Sequence, residues 1–262
     1  MGAEIISIAN QKGGVGKTTT AINFSAALAC LGQETLLVDL DPQGNATSGL
    51  GFEKLSDTFG IYQCLVEMGA AEKAIKASNV EMLDIICSTP DMVAAEVELV
   101  TAISRENRLK NCLSSFRNSY KFIIIDCPPS LGLLTINALS ASDKVIVPVQ
   151  GEYYALEGLA NFYEAITRVR DRINSNLSIE GGVLTMFDPR YSLAQQVKNE
   201  LEKFFGASLF KTSIPRSVRL AEAPGFGKTI LQYDPRSKGS ESYLAMAGEF
   251  LIRRGWTGMR MN

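Results

Sequence analysis

Histidine is missing from all 262 residues, and that absence removes whole classes of chemistry. No Ser-His-Asp or Cys-His nucleophile can be assembled, and no metal can be held by imidazole. Catalysis must rest on Asp, Lys and backbone groups. Paired cysteines are missing too: Cys30, Cys64, Cys87, Cys112 and Cys127 stand far apart with no C-x-x-C spacing. Neither a zinc ribbon nor a disulfide framework is expected, and the five read as reduced thiols in a cytoplasm. The opening Met1-Gly2-Ala3-Glu4 carries no basic region and leads into no long apolar run or cleavage site, so nothing signals export. Excess positive charge is also lacking. With 26 Lys and Arg against 28 Asp and Glu, net −2, a uniformly basic nucleic-acid surface is excluded, while a local patch is not.

What is present is a composition for a sizeable core, 46% hydrophobic and 21% charged, with no stretch that reads as a linker, repeat or low-complexity tract. One domain spanning residues 1–262 is expected. Short apolar runs recur at Ile5-Ile6-Ser7-Ile8-Ala9, Thr35-Leu36-Leu37-Val38, Phe122-Ile123-Ile124-Ile125, Lys144-Val145-Ile146-Val147 and Gly182-Val183-Leu184-Thr185. Such uninterrupted runs fit strands buried on both faces of a parallel sheet. Helical spacing covers 18–31, 135–140, 156–173 and 193–205, which predicts repeated βαβ units. The fold class is α/β, doubly wound, a mostly parallel sheet with helices on both faces. Residues 42–57 and 215–238 are least regular and become the candidate functional loops, because ligands bind beyond strand C-termini in such sheets.

A strand running into Lys12-Gly13-Gly14-Val15-Gly16-Lys17-Thr18-Thr19, followed by a helix-forming stretch, is the context a phosphate cradle needs. Glycines let backbone N–H groups turn toward one anion, and the helix N-terminus adds partial positive charge. Lys17 reaches the β- and γ-phosphates and Thr18 offers its hydroxyl to Mg²⁺. The general G-x-x-x-x-G-K-[ST] pattern would place glycine where Gln11 stands. The form present adds Lys12 instead. A cation there, aimed at a facing subunit's phosphates, would act as an arginine finger does and implies a dimer around nucleotide. A solvated loop lysine is the plainer alternative.

Asp39 and Asp41 end the second strand on the same side by alternation. Asp41 opens the loop and is favoured for orienting an attacking water. Asp39 is assigned a supporting role toward Mg²⁺ waters or the loop lysine. Turn formation ahead of Pro42 is the alternative for both. Asp126 ends the apolar run before Cys127-Pro128-Pro129-Ser130, where an acid downstream of a phosphate loop can hold a water on Mg²⁺. Cys127, with no nearby partner in sequence, reads as a packed thiol.

With Lys12–Thr19, Asp39-Leu40-Asp41-Pro42-Gln43-Gly44-Asn45 and Asp126–Ser130 in that order, the chain resembles the ParA/Soj partition ATPases of the deviant-Walker group. The likeness extends through Met186-Phe187-Asp188-Pro189-Arg190, the block from Ile214 to Pro224, and Tyr233-Asp234-Pro235-Arg236-Ser237. The resemblance implies a protein that dimerises around two ATP molecules with Mg²⁺, binds DNA without sequence preference, and is released when a ParB-like partner stimulates a weak ATPase. It makes Lys12 the cross-subunit lysine, Asp41 the catalytic acid and Asp126 the Mg²⁺-side acid. It places Pro215 and Ser217 at the adenine, and Arg190 and Arg219 on the DNA surface. It also implies a cytoplasmic, nucleoid-associated protein of the short, chromosomal type, since the first strand begins too early for a preceding helix-turn-helix.

Charge adds modest support for DNA binding. Between Met186 and Lys238 there are nine basic and five acidic residues, a surplus of +4 that leaves −6 for the rest of the chain. Such a patch binds phosphate backbones by counterion release. A MinD-like membrane-associated switch is the main alternative, because residues 250–262 mix apolar and basic side chains. Gly255 and Gly258 interrupt that segment, which is short for an interfacial helix. It reads as the frayed end of the last helix, and stable membrane association is not expected. An iron–sulfur reductase would need cysteines at a dimer axis, and none follows Cys127.

Overall fold

The computed structural model describes residues 2–55, 58–67, 71–151 and 155–258. Seven strands, β1 (Glu4–Ile8), β2 (Thr35–Asp39), β3 (Ile75–Ala77), β4 (Leu83–Ile86), β5 (Phe122–Asp126), β6 (Lys144–Gln150) and β7 (Ser178–Thr185), form one sheet in the order β3-β4-β2-β5-β1-β6-β7. Every neighbouring pair is parallel except the short edge strand β3, which runs antiparallel to β4. The helices are α1 (Lys17–Cys30), α2 (Asn45–Gly49), α3 (Ile61–Val66), α4 (Met92–Leu99), α5 (Arg108–Ser114), α6 (Leu133–Ala141), α7 (Ala155–Arg172), α8 (Ser192–Phe205), α9 (Val218–Glu222), α10 (Ile230–Tyr233) and α11 (Lys238–Ile252).

The uninterrupted apolar runs have the predicted consequence. Along β5, Ile123 and Ile125 join one buried layer while Phe122 and Ile124 join the other. The same alternation sends Ile5 one way and Ile6 and Ile8 the other, and splits Val145 and Val147 from Ile146. One layer is completed by α3 to α8, the other by α1 and α11. Phe250 of α11 meets Phe24 and Phe122 edge-on at 5.1 and 5.3 Å between ring centres. The fold is thus the doubly wound, mostly parallel α/β sheet with both faces covered.

The two stretches predicted to be irregular, 42–57 and 215–238, contain α2, α9 and α10; residues 56 and 57 lie outside the described residues. These helices are four or five residues long, too short to show a period, and tertiary contacts hold them. The end of the last helix is tied down more firmly than a frayed terminus. Arg254 donates to Glu4 at 2.6 and 2.7 Å and to Glu180 at 2.8 and 3.1 Å, with its guanidinium 3.6 Å from the Phe250 ring centre. The last four residues of the candidate membrane segment, 259–262, fall outside the described residues. Among the described residues no helix is long and apolar enough to cross a membrane.

Candidate nucleotide site

β1 delivers the chain into the glycine loop, and two contacts with distant strands and one local contact fix that loop. Asn10 donates through Nδ2 to the Pro148 carbonyl of β6 at 2.8 Å and accepts the Lys12 N–H at 3.0 Å. Thr185, the last residue of β7, donates its hydroxyl to the Val15 carbonyl at 2.8 Å. Gly14 and Gly16 take φ of +74° and +85°, a left-handed backbone that side chains strain. Lys17 opens α1 and bends back so that Nζ donates to the Lys12 carbonyl at 3.0 Å. Burial pulls the Lys17 pKa down, opposed chiefly by the nearby charge of Asp126.

Gly13, Gly14, Gly16, Lys17, Thr18 and Thr19 line a cleft of about 340 Å³ whose other walls are Asp41, Gln43, Asn45, Pro129 and Met186. A second pocket of about 200 Å³ shares Gly16, Thr19 and Met186 with it and continues to Pro215 and Ser217. Anion-binding backbone therefore opens directly onto a more apolar chamber, the shape a nucleoside phosphate fits. Met186 sits at the seam with φ +51°, an uncommon conformation for a residue other than glycine. Tyr243 closes the second pocket, its hydroxyl 3.2 Å from that of Thr20.

The acids lie at the C-terminal ends of adjacent strands. Asp126 of β5 pairs in register with Asp39 of β2 on one side and Ile8 of β1 on the other, which places it directly beneath the phosphate loop. It is fully buried, and neither of its oxygens has a hydrogen-bond partner among the described residues. Burial first, and the Asp39 carboxylate second, push its pKa well above the usual range, opposed by the neighbouring Thr18 hydroxyl. Asp39 is also fully buried and pushed up to about 6, again mainly by burial. Its oxygens, however, are occupied: Oδ2 accepts the Thr47 N–H and hydroxyl, both at 2.7 Å, and Oδ1 accepts the Asp41 N–H at 3.3 Å. Asp41 alone of the three lines the cleft, and its Oδ1 accepts the Gln43 N–H at 3.0 Å.

Comparison with known proteins decides the family. An AAA-domain family profile matches residues 3–179. The chain is 55% identical over 246 residues to the sporulation initiation inhibitor protein Soj of Bacillus subtilis, covering 94% of this chain and 97% of that one. The chain belongs to the ParA/Soj family. It is 50% identical over 249 residues to the chromosome partitioning protein ParA of Myxococcus xanthus, covering 95% and 88% of the two chains. Among solved structures it is similar to cobyrinic acid a,c-diamide synthase from Mycobacterium smegmatis with bound ADP and magnesium, at TM-score 0.84, 31% identity and 98% coverage of both chains.

Within this family fold the residues singled out by sequence separate into groups. The glycine loop, Lys17, Thr18, Thr19 and Asp41 come together at one cleft, Pro215 and Ser217 line the adjoining pocket, and Asp126 lies under the floor. Val15 is buried and serves through its carbonyl. Lys12 is half-exposed and outside the cleft lining. Arg190 and Arg219 line neither pocket. Both are exposed and both meet a carboxylate: Arg190 meets Asp188 at 2.6 Å, and Arg219 meets Glu222 at 3.1 Å and Asp234 at 3.6 Å. Sequence reasoning passed over Asn10, Thr47, Ser88, Thr185 and Tyr243. Most of their partners are far away in the chain, and only the strand-end position of Thr185 offered a signal.

Proposed function

We propose that this protein is an ATP-dependent partition switch, which binds ATP with Mg²⁺ in this cleft, dimerises around two nucleotides, binds DNA without sequence preference and hydrolyses ATP slowly until a ParB-like partner accelerates it. The observation that carries the reading is the orphaned pair of oxygens on Asp126, buried between the phosphate loop and Asp39. A buried carboxylate short of donors is costly, and a hydrated cation beside it supplies what is missing. Among the described residues no three carboxylate or thiolate groups form a chelating cage. That fits Mg²⁺, which keeps several waters and shares the rest of its shell with phosphates and one or two protein oxygens. Thr18 and Asp126 are the residues that would hold it. When bound, Mg²⁺ neutralises charge developing on the β- and γ-phosphate oxygens.

Loop amides and Lys17 gather the triphosphate, and the pocket at Pro215 and Ser217 receives the base. Asp41 orients a water whose oxygen bonds to the γ-phosphorus as the bond to the bridging oxygen breaks. Lys12 reaches the phosphates of the facing subunit, where a second cation stabilises the transition state. The names of the similar proteins, a sporulation initiation inhibitor and a chromosome partitioning protein, support partition of chromosomal cargo as the setting, and a cytoplasmic, nucleoid-associated location goes with that reading. Arg190 and Arg219 contribute to its DNA face.

The deciding experiment uses Asp41→Ala protein with ATP, sedimented with plasmid DNA in one arm and with anionic liposomes in the other. Hydrolysis should stop while an ATP-bound dimer persists and travels with DNA. Sedimentation with liposomes alone would replace this reading by a MinD-like one. Sedimentation with neither, or turnover at the wild-type rate, would sink the switch.

A further inference from the structure

Asp41 is held by a closed ring of hydrogen bonds drawn from three separate elements. Its N–H donates to Asp39 Oδ1 at 3.3 Å, Asp39 Oδ2 accepts both the amide and the hydroxyl of Thr47 at 2.7 Å, and Thr47 Oγ1 accepts the Ser88 N–H at 2.9 Å. The Ser88 hydroxyl then donates to the Asp41 carbonyl at 2.8 Å. Asp39 and Thr47 are fully buried and Ser88 is 1% exposed. No water competes, so each bond removed leaves a buried group unsatisfied. The ring is also directional. The single proton of Thr47 Oγ1 goes to Asp39, and its lone pair faces the Ser88 amide. Only Ser or Thr at position 47 can do both.

We infer that Thr47 on α2 and Ser88 beyond the end of β4 are positioning residues for the hydrolytic step, which fix both backbone groups of Asp41 and so aim its carboxylate into the cleft. The inference rests on the reading of Asp41 as the group that orients the attacking water. Neither Thr47 nor Ser88 lines the nucleotide cleft, so their loss should reach the chemistry and spare the binding. Misplacement of a catalytic group by about 1 Å costs on the order of a hundredfold in rate.

The test compares Thr47→Val, which keeps the shape and deletes the hydroxyl, with Thr47→Ser, which keeps the hydroxyl. For Thr47→Val the single-turnover rate of ATP hydrolysis should fall by about ten- to a hundredfold, with the Kd for a fluorescent ATP analogue unchanged within about twofold. Thr47→Ser should recover most of the rate. Ser88→Ala enters the ring from the other side, should lose about tenfold, and decides the matter should Thr47→Val fail to fold.

Wild-type turnover in both Thr47→Val and Ser88→Ala overturns the positioning role, as does weakening of nucleotide binding in proportion to rate. If Asp41→Ala itself turns over normally, the underlying reading of Asp41 fails instead. The two failures are therefore distinguishable.

Discussion

At the ends of β1, β2 and β5 the charged groups are buried and Asp126 is left unpaired among the described residues, whereas between β7 and α11 they are more exposed and largely paired off. Lys17, Asp39 and Asp126 are within 6% of complete burial, and both oxygens of Asp126 lack a donor. In the later region all five acids, Asp188, Glu200, Glu202, Glu222 and Asp234, make ion pairs with Arg190, Lys198, Lys203 or Arg219. A buried unmatched charge is expensive and stays so until a ligand arrives, which makes the first region a poised binding site. An exposed pair exchanges partners at little cost. The second region can therefore release its arginines to phosphates, and its surplus rests meanwhile on Lys211, Arg216, Lys228, Arg236 and Lys238, which form no ion pair among the described residues.

The largest effect should come from the buried side. Lys17→Ala removes the one cationic side chain that lines the cleft among the described residues and should weaken ATP binding by about a hundredfold, measured by titration calorimetry. An unchanged affinity would mean that the loop amides alone hold the phosphates. Next comes Asp126→Asn. A carboxyl with a folded pKa above its unfolded value binds its proton more tightly in the folded chain, so the stability it contributes is complete at low pH and is lost as pH rises toward the folded pKa. For Asp39, raised from 3.8 to about 6, that window lies between about pH 4 and 6. Asp126 shifts in the same direction. Asp126→Asn should therefore raise the melting temperature of the nucleotide-free protein at alkaline pH, by about 2–4 °C for each kcal/mol relieved, and flatten its decline with pH. The same substitution should slow Mg²⁺-dependent hydrolysis. A variant that melts lower at pH 8 would show that the Asp126 charge is stabilising.

How much of this was legible in the sequence follows from the same division. The glycine loop was readable because eight consecutive positions carry it, and the β1, β2, β5, β6 and β7 runs because both faces are buried. β4 was missed since Asp84 interrupts its short apolar run; the structure pairs that acid with the Tyr120 hydroxyl at 2.7 Å. The contacts that hold the site rigid were unreadable. Thr185 meets Val15 across 170 positions and Ser88 meets Asp41 across 47, distances over which no local spacing survives. The pairing of each candidate DNA arginine with an acid was hidden for a different reason. A charge count adds residues without saying which neighbours they face.

On the exposed side, Arg219→Glu should reduce ATP-dependent retention on DNA by about tenfold at low salt and lower the salt-dependence slope by about 1. Arg236→Glu should lose at least as much, because Arg236 is exposed and forms no ion pair among the described residues. If Arg236→Glu is silent while Arg219→Glu is not, the DNA face is confined to the α9 side.

The smallest effect, and the one that speaks most directly to the contrast, is a gain. Glu222→Gln removes the carboxylate that meets Arg219 at 3.1 Å while leaving a side chain of the same length. Arg219 then keeps Asp234, at 3.6 Å, as its ion-pair partner among the described residues, and its charge is less neutralised before DNA arrives. Retention on plasmid DNA should rise about two- to threefold at low salt, and the difference should fade at higher ionic strength, as expected for exposed charges. Nucleotide affinity and basal hydrolysis should not move, since Glu222 lines neither pocket. Unchanged retention would mean that the pair with Glu222 does not compete with phosphate. A fall would mean that Glu222 holds Arg219 in the orientation DNA requires, which would make the exposed pairs part of a built surface like the buried one.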